Sequence, residues 1–316
     1  MSPFSPVRTP HEAAFLLELS QEELFARAEV LREAAFGRKV TLCSIINARS
    51  GNCSMDCRFC SQSGHNRTNI ETFVLLPDAE LRARILHLAT LPVSRIGIVT
   101  SGAALNTDEQ ERLRTLVAGL PQNVRSRICA SLGRLTADSL RQMGASGLTR
   151  YHHNLESSRG FYPSVCTTQT WDQRKKTVER AQQAGLEVCC GGLFGLGETW
   201  EHRIDFAFAL KKMDIAQVPL NFLYPHPETP LADMPPLDAG EALRIIAVFR
   251  HILPRATLRV CGGRPLVLRG RQQEIFRAGA NALMTGDYLT TQGQSLVHDL
   301  EMIASLGLEV ESGLPF

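Results

Sequence analysis

Apolar positions along the chain gather into short β-branched runs, separated by longer stretches in which they recur at helical spacing. The first helical stretch opens at Ser20, with Glu23 three residues on as a capping box, and runs to about Ala35, where Gly37 stops it. After it, strands are predicted at 40–46, 95–100, 127–131, 148–154, 187–193, 217–223, 257–261 and 282–285. Helices are predicted between them, among others at 78–88, 108–118, 170–183, 199–212, 239–251 and 272–278. Strands that alternate with helices in this way are parallel. With no linker rich in Gly, Ser or Pro between them, they predict an α/β fold: one (β/α)8 TIM barrel over 39–316, behind an N-terminal helical extension over 1–38.

Composition narrows the function without naming it. The 34 Lys and Arg against 32 Asp and Glu leave a formal charge of +2. With no dense basic block, neither nucleic acid nor a membrane surface is an expected partner, and a small molecule is. The first residues lack a basic start and apolar run, and no stretch reaches the roughly eighteen apolar residues of a membrane span, so a soluble chain is expected. Nine cysteines, three of them crowded together, suit a reducing compartment, the cytoplasm, better than a disulfide framework. Gly191, Gly192, Gly195 and Gly197 do not give the order of a dinucleotide loop; a tight backbone approach to a ligand is expected there instead.

The chemistry concentrates between Asn52 and Gln62, where Cys53, Cys57 and Cys60 can converge on one point. Three thiolates can hold three irons of a cubane cluster and leave the fourth iron open to a small molecule. A zinc knot would want a fourth Cys or His at short spacing, and neither His65 nor Cys43 stands at a usual finger distance. Cys129, His152, Asn154, Glu156, Cys189, Asn221, Arg259 and Cys261 all fall on or just past predicted strands, so they should share one cavity at the C-terminal mouth of the barrel. Alternation turns Arg259 and Cys261 to one side, groups His152, Asn154 and Glu156, and sets Cys190 opposite Cys189. Any one of these cysteines could be core packing, and Asn154 or Glu156 could be a cap residue. Three thiols on separate strands raise a second metal or cluster site beside those readings. Cys43 and Cys166 are read as packing.

The triplet resembles the signature of the radical S-adenosylmethionine enzymes. In that family the open iron of a [4Fe-4S] cluster binds the amino and carboxyl groups of S-adenosylmethionine, and an electron cleaves it to a 5'-deoxyadenosyl radical. Nearly the whole barrel further resembles the biotin synthase family. The stretches are 51–63 (GNCSMDCRFCSQS), 129–133 (CASLG), 151–157 (YHHNLES), 167–174, 188–198 (VCCGGLFGLGE), 219–231 and 258–264.

This resemblance implies that Cys53, Cys57 and Cys60 hold the [4Fe-4S] cluster, that Asn154, Glu156 and Arg174 contact S-adenosylmethionine, and that His152 and Asn221 contact dethiobiotin. No side chain is expected to act as acid or base, because the reacting carbons are unactivated. An auxiliary [2Fe-2S] cluster held by three Cys and one Arg donates the sulfur in the family. Cys129, Cys189 and Arg259 match, but Thr100 stands where a Cys is expected, and Cys261 is extra. His152 and Glu156 also replace an Asn and an Asp. The expected ligands are therefore Cys129, Cys189 and Cys261, with Arg259 near, around a [2Fe-2S] or larger cluster. The resemblance also implies a small electron-transfer protein of flavodoxin or ferredoxin type, iron-sulfur assembly proteins and a homodimer. Two alternatives share the triplet: a radical enzyme of hydrogenase-cofactor maturase or methylornithine synthase type, and a non-enzymatic redox sensor, which would lack the S-adenosylmethionine contacts.

Overall fold

The computed structural model describes residues 7–311. The predicted first helix is Gln21–Phe36: Ser20 Oγ accepts the Glu23 N–H at 3.2 Å, and Gly37 ends it at φ 58°. Only half of the capping box forms, because the Glu23 carboxylate turns to Arg27 one helical turn on. Leu24, Phe25 and Ala28 bury that helix in the same core as the barrel, against the helix Ala239–Ile252.

The strands are β1 (Lys39–Arg49), β2 (Arg95–Thr100), β3 (Ile128–Ser131), β4 (Arg150–His152), β5 (Glu187–Cys189), β6 (Gly192–Phe194), β7 (Gln217–Phe222), β8 (Thr257–Val260), β9 (Ala282–Met284) and β10 (Glu309–Val310). Parallel pairing runs β1-β2-β3-β4-β5-β7-β8-β9, and β9 pairs back onto β1, so the sheet closes into an eight-stranded barrel. β10 lies outside the ring beside the start of β1. The predicted helices appear close to their predicted bounds as Asp78–Ala89, Thr107–Ala118, Trp171–Gln183, Trp200–Lys212, Ala239–Ile252 and Glu274–Arg277. Among the described residues no helix is long and apolar enough to cross a membrane.

β1 shows how the sequence sets inside and outside. Val40, Leu42, Ile46 and Ala48 are buried beneath the helices, while Cys43 and Ile45, on the alternate row, line the lumen. A barrel of this class usually fills its interior with branched side chains. Here the inward rows carry Cys43, Gly97, Cys129 and Cys189 beside the polar Arg150, His152 and Arg259, and a cavity of about 440 Å³ opens through the lumen.

The predicted strand 187–193 is broken into β5 and β6. A Cβ on Gly191 would overlap the Pro219 carbonyl oxygen, and one on Gly192 the Glu156 carbonyl oxygen, so three chains meet more closely than side chains allow. These two glycines therefore allow close contact between chain segments. The predicted strand 148–154 is regular only over Arg150–His152, yet the His153 and Leu155 N–H groups still donate to the Cys189 and Gly191 carbonyls, each at 3.0 Å. The backbone thus carries Asn154 and Glu156 on to the mouth.

Candidate functional site

The loop after β1 holds its three cysteines by backbone ties. Cys53 N–H donates to the Gln62 carbonyl at 3.0 Å, Cys60 N–H to the Cys57 carbonyl at 3.0 Å, and Asn66 Nδ2 to the Cys60 carbonyl at 2.8 Å. Asp56 anchors the loop across the mouth: its Oδ1 accepts the Thr167 and Thr168 N–H groups at 2.9 and 3.0 Å and the Cys166 thiol at 3.0 Å. Burial opposes its ionisation, but these donors outweigh burial and hold the carboxyl well below its usual range. Cys166, read from the sequence as packing, is thus buried against this anchor. Cys53, Cys57 and Cys60 all line the cavity. The Cys57 thiol is pushed well up by its hydrogen bond with Cys166 and by burial, and burial lifts Cys60 to about 11. Such thiols give up their protons only to a metal that replaces them.

Next to the loop stand Asn154, Glu156 and Arg174, joined to one another. Arg174, in the first turn of the helix Trp171–Gln183, reaches Glu156 Oε1 with Nη2 at 3.0 Å and donates through Nε to the Asn154 carbonyl. Asn154 Nδ2 donates to Glu156 Oε2 at 3.3 Å, and its Oδ1 accepts the Gly191 N–H at 3.0 Å. Glu156 has φ 69°, uncommon for a residue with a side chain. Its carbonyl, accepting the Leu193 N–H at 2.8 Å, fixes that turn, which aims the carboxylate into the lumen.

His152 and Asn221 face the middle of the cavity. Burial pushes the His152 imidazole down to about 4, so it is neutral near pH 7. Asn221 ties two strands: Nδ2 donates to the Gly192 carbonyl at 3.1 Å, and Oδ1 accepts the Gly262 N–H at 3.0 Å. One N–H and one lone pair remain for a ligand.

Deeper in the lumen lie Cys129, Cys189, Cys261 and Arg259, as alternation requires, while Cys190 is buried in the core behind the sheet. Burial pushes the Cys129, Cys189 and Cys261 thiols up. Arg150 pairs with Glu187 at 2.7 Å, whereas among the described residues Arg259 has no carboxylate partner: it donates to Thr41 Oγ1 at 3.2 Å, lies beside the Cys189 thiol, and its Nε has no partner. Thr100 Oγ1 donates to the Ser131 carbonyl at 3.4 Å.

Cys43, read from the sequence as packing, also lines this cavity. It sits in the middle of an 11-residue strand, away from the strand ends where barrel sites usually lie. The inward parity of β1 was the signal that could have found it. Among the described residues, no three His, Cys, Asp or Glu side chains converge tightly enough for a single metal ion. The thiols instead surround a space, which suits a polynuclear cluster whose ligands sit on different irons.

Comparison with known proteins agrees with this arrangement. Residues 48–210 match the family model of the radical SAM superfamily, and residues 219–309 that of the biotin and thiamin synthesis associated domain. The biotin synthase of Desulfovibrio desulfuricans is 68% identical over 96% of this chain and 96% of its own length. That of Pelotomaculum thermopropionicum is 44% identical over 91% and 90%. Among solved structures, methylornithine synthase superposes with TM-score 0.79 at 20% identity over 96% of this chain and 94% of its own. HydG, a maturase of the [FeFe]-hydrogenase, gives 0.81 at 16% over 96% and 72%. At those identities the structures share the barrel alone. Matched along nearly its full length, and with both thiol sets in one barrel, the chain belongs to the biotin synthase family of the radical SAM superfamily.

Proposed function

We propose that the chain inserts sulfur into dethiobiotin to make biotin, with S-adenosylmethionine as the radical source. The observation that carries this reading is the pairing of two thiol sets, one on the mouth loop and one on the barrel strands, that open on a single cavity also lined by His152 and Asn221. When bound, a [4Fe-4S] cluster with S-adenosylmethionine supplies a 5'-deoxyadenosyl radical, and an auxiliary iron-sulfur cluster supplies the sulfide, a chemistry that no side-chain base could perform on unactivated carbon.

The protein's own part is to hold, orient and shield. Cys53, Cys57 and Cys60 offer three thiolates and leave one iron position free. Asn154, Glu156 and Arg174 present an amide, a carboxylate and a guanidinium, complementary to a zwitterionic cofactor bearing hydroxyls. Neutral His152 and the free edge of the Asn221 amide suit the donors and acceptors of a ureido ring. Cys129, Cys189 and Cys261 would hold the auxiliary cluster that supplies the sulfur, with Arg259 as a buried positive charge beside them. We read residues 1–38 as an N-terminal extension and 39–316 as the barrel domain; within the described residues the helix Gln21–Phe36 packs against the barrel helix Ala239–Ile252. Nine unpaired cysteines support a reducing, cytoplasmic setting. There the family reading calls for a homodimer, a flavodoxin- or ferredoxin-type donor and iron-sulfur assembly proteins.

Anaerobic reconstitution with S-adenosylmethionine, reductant and dethiobiotin tests the proposal: mass spectrometry should find a product that has gained sulfur, together with 5'-deoxyadenosine. Formation of 5'-deoxyadenosine with no sulfur-bearing product would overturn it. Asn221→Ala should weaken dethiobiotin by roughly two- to tenfold, the value of one hydrogen bond at about 0.5–1.5 kcal/mol. Affinity for S-adenosylmethionine should be unchanged. Because Asn221 also ties Gly192 to Gly262, the titration covers both ligands: equal weakening would make it a strut and not a substrate contact.

A further inference from the structure

We infer that Cys43 is the fourth protein thiolate of the auxiliary cluster, completing a four-cysteine set with Cys129, Cys189 and Cys261. The inference rests on the sulfur-insertion reading above, which places that cluster on the barrel floor. Position is the first argument. Cys43 pairs with Met284 of β9, and one strand further round Val260 of β8 pairs with Leu283, which sets Cys261 level with Met284. Cys43 and Cys261 therefore flank Met284 on neighbouring rows of the inner face. Cys129 and Cys189 complete the ring from β3 and β5.

Charge is the second argument, and it is independent of the first. Arg259 is 3% exposed; among the described residues no carboxylate reaches it, its Nε has no partner, and its Nη2 donates to Thr41 of β1 beside the Cys189 thiol. A buried guanidinium without an anion is costly. The groups whose negative charge would bear on it are the thiols of Cys43, Cys189, Cys261 and Cys129. Four thiolates are the usual ligand set of both two-iron and four-iron clusters, and a cluster so ligated is anionic. Arg259 then serves as its counter-charge and a donor to sulfur, and iron has no need of it as a ligand. On β2 the inward position that pairs with Cys129 is Gly97, which has no side chain, and Thr100, on the alternate row, bonds the Ser131 carbonyl, so β2 offers no thiolate and Cys43 of β1 is the remaining one on this face.

The test uses the full chain, reconstituted anaerobically without substrate and read by iron and sulfide content and Mössbauer spectra. Cys43→Ser should lose the auxiliary iron and sulfide as Cys129→Ser and Cys189→Ser do, while the S-adenosylmethionine-binding cluster keeps its signal. Cys190→Ser, behind the sheet, should keep both clusters. Thermal unfolding of metal-free protein checks the fold, and Cys43→Ala carries the same test if the serine variant does not fold. If the Cys43 variants keep the wild-type complement and spectra while Cys129→Ser loses the auxiliary cluster, Cys43 is packing and the sulfur-insertion reading stands. If Cys129→Ser and Cys189→Ser also keep it, the auxiliary site itself is misplaced, and the inference fails with it.

Discussion

Replacing any one of Cys53, Cys57 or Cys60 by Ser is expected to abolish reductive cleavage of S-adenosylmethionine and leave the fold intact. The loss follows from ligand chemistry: a serine hydroxyl is a hard, protonated donor near neutral pH and poorly replaces a thiolate on iron. With only three thiols on the mouth loop, no spare stands in the triplet for the one removed. The fold should survive because the loop is not held by its sulfurs. Asp56 pins it to Thr167 and Thr168, Asn66 ties two of its carbonyls, and Cys53 bonds Gln62 through the backbone. Chromatography of 5'-deoxyadenosine under a chemical reductant, beside thermal unfolding of the metal-free proteins, checks both halves. Cleavage at the wild-type rate in all three variants would remove the triplet from the mechanism.

The barrel was legible because its signal is repeated: each strand carries its own apolar run and most of the longer helices a capping side chain, and eight independent pairs point to one architecture. Ser20, Thr170 and Thr199 cap helices where local chemistry alone would put them. What was not legible depends on contact between distant segments. The break after Cys189 arises because Pro219 and Glu156 press on Gly191 and Gly192, and nothing in the local run, rich in strand formers, announces it. Asn221 could be read as a lumen residue, but its two backbone bonds join β6 to the end of β8 and are invisible in sequence. Cys43 lay within reach of a simple alternation argument. Its place in mid-strand, away from the strand ends where barrel sites usually lie, hides it, because this cavity is lined by mid-strand residues as well.

Cys261→Ser should separate the two halves of the reaction. A serine at 261 can donate to the Arg259 carbonyl that now faces the thiol at 3.5 Å, so metal-free protein should fold as the wild type does. Its hydroxyl, like that of Thr100, cannot replace a thiolate on iron. The mouth loop, with Asn154, Glu156 and Arg174, is untouched, so 5'-deoxyadenosine should still form. Biotin should fall to background, because the sulfur source is no longer held beneath the substrate. Iron and sulfide should drop by the amount of the auxiliary cluster, and the Mössbauer spectrum should reduce to that of the S-adenosylmethionine-binding cluster. The burial of Cys261 allows a competing account in which the thiol merely fills space, and the two accounts differ in one number. A packing thiol replaced by serine leaves the biotin formed per 5'-deoxyadenosine unchanged, whereas a lost ligand drives that ratio toward zero. A variant that keeps both the ratio and the full iron content would return Cys261 to the core and require another donor on the floor.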